Sequence, residues 1–163
     1  GGAGNRESFS MTNIGDLLGE QADILAREAI GIGDVHILPL TPKEGITPKD
    51  GQIARNKYLI VLGFDNDGNM IGGVVVNSNI NYNLPSSITD YLMPVTVSQC
   101  SFLAHDSFIN CSHLVVVRKD KFNSKTFVGK IDDEELMSMI VGTITESPQI
   151  NKQQLKEFGI IKG

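Results

Sequence analysis

The chain has 163 residues and a formal net charge of −5, with 40% hydrophobic and 20% charged residues. A chain of this length is expected to form one domain around its own core, and the composition excludes an intrinsically disordered protein. The longest apolar runs are far shorter than the roughly 20 residues that span a bilayer, so we expect no membrane contact. The acidic balance argues against non-specific coating of nucleic acid, although a local basic site is still compatible with it. We therefore expect one cytoplasmic domain.

The N-terminus begins with a polar, glycine-rich stretch, GGAGNRESFS, and Met11 follows it directly. We interpret residues 1–10 as the remnant of an expression tag and residues 11–163 as the single domain.

An amphipathic helix is predicted next, in an N-terminal region of residues 11–31. Apolar residues recur there at steps of three and four, which predicts a helix over residues 11–30. Thr12 or Asn13 is the expected N-cap, and Gly31 is expected to end the helix.

Five short strands are predicted between residues 33 and 118, because apolar residues alternate or form short runs between turn residues. A loop rich in Pro, Gly and Lys over residues 41–52 follows the first strand, and the Asn/Asp/Gly segment 65–69 joins the second and third strands as a hairpin. Short strands without intervening helices favour an antiparallel barrel over βαβ units. The predicted strands cover residues 33–40, 56–64, 70–77, 93–97 and 111–118.

The C-terminal part is predicted to be helical. Asp132 is the expected N-cap of a helix that ends before Pro148, with Glu135 in the capping-box position. The tail of residues 148–163 carries a second short helix from Asn151 to Gly159. The first helix is expected to pack on the strands through one apolar face, made of Leu136, Ile140 and Ile144.

Candidate functional residues are isolated, because the sequence contains no P-loop, no G-x-S-x-G, no GxGxxG after a strand and no zinc signature. No cofactor and no metal site are predicted. Arg55 precedes the most apolar strand, where a guanidinium can brace a phosphate, but a solvated arginine beside a strand has the same pattern. Asn77, Ser78 and Asn79 end the next strand; these groups can hold a phosphodiester or simply terminate the strand.

A basic segment lies between residues 118 and 130 and is opposed by one acid, Asp120. In an acidic chain this excess is the best candidate for a surface that faces a polyanion, and a solvated hairpin kept soluble by lysines is the equal alternative. Its cations are Arg118, Lys119, Lys121, Lys125 and Lys130.

Two further groups of residues have side chains that can act as nucleophiles or metal ligands. Cys100 and Cys111 lack metal-ligand spacing and are expected to be free, mostly buried thiols. His105, Asp106 and Ser107 contain the residue types of a hydrolase triad, but triad residues meet in space rather than as chain neighbours.

Taken in order, these segments resemble the PemK/MazF family of toxin–antitoxin ribonucleases over residues 33–147. An opening Gly-Asp strand is followed by a Pro/Gly/Lys loop, an arginine that leads into an apolar strand, a hairpin, and a glycine before an acid-capped helix. The segments that carry the resemblance are residues 33–35, 55, 58–62, 74–76, 110–114 and 128–131.

The resemblance implies an SH3-like antiparallel β-barrel with a C-terminal helix, to which this chain adds an N-terminal helix. It also implies a homodimer, restrained by an antitoxin, that cleaves single-stranded RNA without metal through attack of the ribose 2′-OH. Carried over, Arg55 would stabilise charge on the phosphate and Ser78 would position or activate the attacking group. The expected substrate-binding residues are Asn77, Asn79, Arg118, Lys119 and Lys121.

Two other hypotheses stay open. Asn56 follows Arg55 where the family usually has proline, and Ser78 stands where the family usually has threonine after Pro or Cys. These differences favour a barrel that has lost cleavage and works as a nucleic-acid or protein-binding module. A plain hydrolase that uses Ser107 and His105 is the third hypothesis.

Overall fold

The computed structural model describes residues 2–48 and 51–163, except for the side chains of residues 2–14. Positions 49 and 50 of the predicted 41–52 loop lie outside the described residues. The helices are α1 (Gly2–Glu28), α2 (Ser86–Thr89), α3 (Glu134–Glu146) and α4 (Lys152–Glu157). The strands are β1 (Asp34–Leu40), β2 (Arg55–Phe64), β3 (Met70–Asn77), β4 (Leu92–Val95), β5 (Ser107–Arg118) and β6 (Phe127–Lys130).

The six strands form one antiparallel sheet in the order β4-β5-β3-β2-β1-β6. All five predicted strands are confirmed, and so is the hairpin between β2 and β3. The sequence analysis missed β6, because its residues are mostly exposed and show no apolar alternation. In the part of the chain that the structure describes, β4 and β6 are the sheet edges and no pairing closes them into a barrel.

The first face of the sheet is covered by α3 and α4. Leu136, Ile140 and Ile144 of α3 are all buried against it, as predicted, and Leu155 of α4 joins the same core. The end of α4 rests directly on the sheet at Gly63, where a Cβ atom would stand 2.2 Å from the carbonyl oxygen of the facing residue. Only glycine therefore allows α4 to approach so closely.

The N-cap of α3 is Asp133, so the prediction of Asp132 is wrong by one residue. The Asp133 carboxylate accepts hydrogen bonds from the backbone N–H groups of Glu135 at 3.0 Å and Leu136 at 3.1 Å. Adjacent aspartates cap equally well on sequence grounds. We attribute the choice to the burial of the apolar face of α3, which fixes where the first turn begins.

The second face of the sheet is covered by residues 119–126, which run from β5 to β6 and are called the crossover segment here. Phe122 is fully buried there among residues of the sheet such as Leu59 and Ile71. The basic segment is therefore not the solvated hairpin of the alternative prediction, because β6 pairs with β1 and not with β5.

The helix α1 differs from its prediction at both ends. It begins at Gly2, so Thr12 and Asn13 lie inside the helix and the prediction of an N-cap there is wrong. No proline interrupts residues 2–28, so the helix continues through the polar, glycine-rich residues 2–10. It ends at Glu28, two residues earlier than predicted. The origin of residues 1–10 as a tag remains a prediction.

The prediction of two free thiols is confirmed: Cys100 and Cys111 are free and buried. Burial raises the pKa of the Cys111 thiol to about 12, and burial with the nearby charge of Asp133 raises that of Cys100. Both thiols are therefore poor nucleophiles near neutral pH. Of the helices in residues 2–48 and 51–163, none has the length and apolar character needed to cross a membrane.

His36 on β1 occupies an unusual buried site. Its Nδ1 lies 2.9 Å from the hydroxyl of Thr126, and that hydroxyl donates its own proton to the carbonyl of Asn123. Nδ1 must therefore carry the proton of this contact, which leaves Nε2 as a buried atom without a hydrogen-bond partner. The rings of Phe122 and Phe127 pack edge-on against the imidazole, so the site favours the neutral form.

Replacing Asp133 with Ala should lower the free energy of unfolding by about 1 kcal/mol, because two backbone N–H groups lose their acceptor. Asp132→Ala is the matched control and should cost less than half as much. Urea denaturation of both variants measures the difference. An equal loss in the two variants would contradict the assignment of the cap.

Lowering the pH below 6.5 should destabilise the protein through His36. Burial lowers the pKa of His36 from its ordinary 6.5, against the opposing effect of the Asp34 charge. Below pH 6.5 the unfolded chain therefore takes up a proton that the folded chain does not, and the free energy of unfolding falls. In urea denaturation at pH 7.5 and pH 5.5, the parent should lose more stability than a His36→Leu variant. Equal losses would show that His36 titrates normally.

Candidate functional site

An open cavity of about 270 Å³ lies at the end of the sheet where β2 begins and β3 finishes. In the antiparallel register Leu59 pairs with Val75, so the start of β2 lies beside the residues that follow β3. This register brings Arg55 and Ser78 into the same cavity wall. Among the described residues, the wall also includes Gln52, Asn56, Lys57, Tyr58 and Val76.

Two cations stand on one side of this cavity. Arg55 is half-buried, and its Nη1 donates to the carbonyl oxygen of Thr47 at 3.3 Å, which ties the guanidinium to the loop after β1. Lys57 is two residues further along β2, and its Nζ donates to Oδ1 of Asn77 at 2.6 Å. Asn77 is thus a partner of a cation rather than part of the cavity wall. The exposed Asn79 follows β3 and does not line the cavity either.

Lys57 is the residue that the sequence analysis missed. Side chains two apart on a strand share a face, so Arg55 predicts a second position on the same face at residue 57. The two-residue spacing of Arg55 and Lys57 on an apolar strand therefore predicts a second cation beside Arg55.

Ser78 belongs to the other face of the sheet, with Tyr58 and the buried Val76. Side chains of both faces line the cavity, because the cavity lies at the edge of the sheet where the two faces meet. The Tyr58 ring is held edge-on by Phe102, with centroids 5.4 Å apart, and it forms an aromatic border beside the serine. The arrangement offers two cationic groups, a hydroxyl, two amides and one aromatic surface.

The predicted basic residues Arg118 and Lys119 are at the opposite end of the sheet. Arg118 pairs with Met70 at the start of β3, and the N–H of Lys119 donates to Asn69 in the hairpin. The seven steps from Met70 to Asn77 separate the two ends by about 23 Å at roughly 3.3 Å per residue. The structure therefore does not bring these residues together with Ser78.

Two cations of the basic segment are already engaged by acids. Arg118 forms an exposed ion pair with Asp120, and Lys121 donates to Oε1 of Glu44 at 3.0 Å. Burial pushes the pKa of Glu44 up, but hydrogen bonds from Thr41 and Lys121 outweigh it and keep the pKa below its ordinary value. The pairing reduces the net positive charge that this segment presents.

The hydrolase triad is not assembled. The Ser107 hydroxyl is buried and donates to the carbonyl oxygen of His105 at 2.9 Å, while its distance to His105 Nδ1 is 3.4 Å. The Asp106 carboxylate accepts from the backbone N–H of Val97 and so does not orient the imidazole. A triad needs its acid on the histidine. Over the described residues, no three His, Cys, Asp or Glu side chains form a metal-ligand group.

Comparison with protein-family models gives no match to this chain, and comparison with curated proteins gives none. Function must therefore be argued from the cavity itself.

Proposed function

We propose that the protein is a PemK/MazF-like endoribonuclease that cleaves single-stranded RNA at the cavity between β2 and β3. One observation carries the proposal: Arg55 and Ser78, the two residues to which the resemblance assigns catalytic roles, line the same cavity. A phosphodiester is an anion with a tetrahedral centre, and a guanidinium held by a strand matches two of its oxygens. Lys57 adds a second positive charge beside it.

In this proposal the reaction is transesterification within the RNA strand. The ribose 2′-oxygen forms a bond to phosphorus, and the bond from phosphorus to the 5′-oxygen of the next nucleotide breaks. The products are a cyclic phosphate and a 5′-OH, so the proton lost by the 2′-OH is matched by the proton gained by the leaving oxygen. Arg55 stabilises the negative charge of the transition state and donates toward the leaving oxygen, and Ser78 orients the attacking hydroxyl.

The same proposal includes the finer features that the resemblance implies. In this proposal the six-stranded sheet is a variant of the SH3-like barrel in which the edge strands β4 and β6 are not paired with each other. The protein acts as a cytoplasmic homodimer and is held inactive by an antitoxin. Arg118, Lys119 and Lys121 would contact RNA only where a strand extends well beyond the cavity, because the sheet separates Arg118 and Lys119 from it.

The second candidate function is a nucleic-acid or protein-binding module that has lost cleavage. The observation that favours it is the engagement of both cations at the cavity, where Arg55 donates to Thr47 and Lys57 to Asn77. A guanidinium tied to a backbone carbonyl must give up or share that bond before it can move with a reacting phosphate. A pure binding site has no such requirement.

Replacing Arg55 with Ala should reduce cleavage of single-stranded RNA by about 10²–10³-fold, because a charge-stabilising donor is lost from the transition state. Cleavage by the parent should be unaffected by EDTA. The measurement is single-turnover cleavage of a mixed-sequence RNA, with the products tested for cyclic phosphate and 5′-OH ends.

The matched control is Lys152→Ala, which removes one positive charge from an exposed position of α4 and should leave the rate unchanged. Equal melting temperatures of the variants exclude unfolding as the cause. A parent that binds RNA without cutting it, with binding lost in Arg55→Ala, would support the binding module. Cleavage by Arg55→Ala at the parent rate would refute the proposed catalytic role.

A further inference from the structure

The helix α1 is attached to the body of the protein by its polar side. The Asp23 carboxylate accepts hydrogen bonds from the backbone N–H and the hydroxyl of Ser124, at 2.9 and 3.0 Å. Arg27 donates from Nε to the carbonyl oxygen of Phe122 at 2.7 Å. Both partners belong to the crossover segment, so the charged side of the helix faces the sheet.

The large apolar side chains of α1 consequently point away from the body. Two residues along a helix turn the side chain by about 160° from its starting direction, so Leu25 lies nearly opposite both Asp23 and Arg27. Four side chains form this surface, which we call the outer stripe, and each has at least half of its area exposed. They are Leu17 (55%), Leu18 (66%), Ile24 (50%) and Leu25 (64%).

This orientation reverses the usual arrangement of a surface helix. An amphipathic helix normally buries an apolar stripe about 100° wide against a core and exposes its charges. The outer stripe spans about 120° by the helical period, so it has the width of a buried face. A contiguous exposed patch of this kind on a folded chain marks an interaction surface.

We propose that the outer stripe binds the outer stripe of a second copy of this chain, with the two α1 helices antiparallel. The stripe is a near-palindrome about Gln21, which lies at its centre both along the chain and around the helix. A two-fold axis at Gln21 places Leu17 level with Leu25 of the second copy, and Leu18 level with Ile24. Every large apolar side chain of the stripe then meets another.

The charges on α1 agree with this occupant. Between Leu17 and Leu25 the stripe itself carries no charge, because Asp23 is bonded to the body and the exposed Glu20 lies at the edge of the stripe by the helical period. Two copies therefore approach without like charges in the contact. The acids that border the stripe disfavour an anionic membrane surface or a nucleic acid as the occupant.

The size of the stripe sets the expected strength of the association. A standard stable interface buries about 800 Å² on each partner, and four partly exposed side chains offer less than that. We therefore expect a concentration-dependent dimer in the micromolar range rather than a permanent one. The proposal does not depend on RNA cleavage. A homodimer is also part of the proposed function, but a dimer formed through another surface would be unaffected by substitutions in the outer stripe, so parent-like association of the stripe variants would overturn this proposal alone.

The test uses sedimentation equilibrium of the full chain across the micromolar range, with the chain mass of 17.7 kDa as the reference. The parent should approach twice this mass as its concentration rises. Leu18→Lys alone and Ile24→Glu alone should each weaken association about tenfold or more, because each places a charge against an apolar side chain.

The double variant with Leu18→Lys and Ile24→Glu distinguishes the antiparallel arrangement. In that arrangement the introduced lysine of one copy faces the introduced glutamate of the other at both ends, so association should return to near the parent value. A parallel pair would place lysine against lysine and glutamate against glutamate, and association would stay weak. Equal melting temperatures of the parent and the single variants exclude unfolding as the cause of weaker association.

Met139→Lys is the matched control, since Met139 is an exposed apolar residue of another helix, α3, and its replacement should leave association unchanged. A parent that stays monomeric at the highest concentration would overturn the proposal. Parent-like association of both single variants, or no recovery in the double variant, would also overturn it.

Discussion

The burial of Phe122 is the contact on which the second face of the sheet depends. Its ring fills the second face of the sheet and packs edge-on against His36, and this fixes the path of the crossover segment from β5 to β6. Backbone groups on either side of the ring then become available as partners. Arg27 of α1 binds the Phe122 carbonyl, Ser124 binds Asp23, and the backbone N–H of Ile37 donates to Thr126. Removing the ring would thus loosen α1, β6 and the His36 site together.

The crossover segment also separates the two kinds of positive charge in this chain. Arg118 at the end of β5 is paired with Asp120, and Lys121 in the segment is paired with Glu44. At the rim cavity, Arg55 donates to a backbone carbonyl oxygen and Lys57 donates to an amide oxygen. Arg55 and Lys57 stand at that cavity because the β2–β3 register places their strand beside the end of β3.

Much of the fold could be predicted because its signals are local. Strand alternation, the turn chemistry of residues 65–69 and the apolar face of α3 each depend on neighbours a few positions away, and each prediction is confirmed. The misses have the opposite character. The cap at Asp133 depends on how α3 docks, and β6 is a strand only because β1 offers it an edge. At the candidate site, antiparallel pairing explains why Arg55 and Ser78 lie close together. Lys57 was missed, although its position two residues after Arg55 predicts a side chain on the same face of the strand.

By itself the sequence determined the approximate positions of five of the six strands and of the C-terminal helices, the free buried thiols, and which residues can carry charge or a hydroxyl at strand ends. These follow from side-chain chemistry and from periods of two and 3.6 residues, which need no knowledge of distant contacts. Only the tertiary structure decided that Arg118 is remote from Ser78 and that α1 turns its leucines outward. The first fact depends on the register of β3 with β5, in which Met70 pairs with Arg118. The second depends on pairings across 93 to 101 positions, such as Arg27 with Asp120 and Asp23 with Ser124. A hydrogen bond between residues so far apart leaves no periodic trace in the sequence, because its partners are brought together by the packing of everything between them.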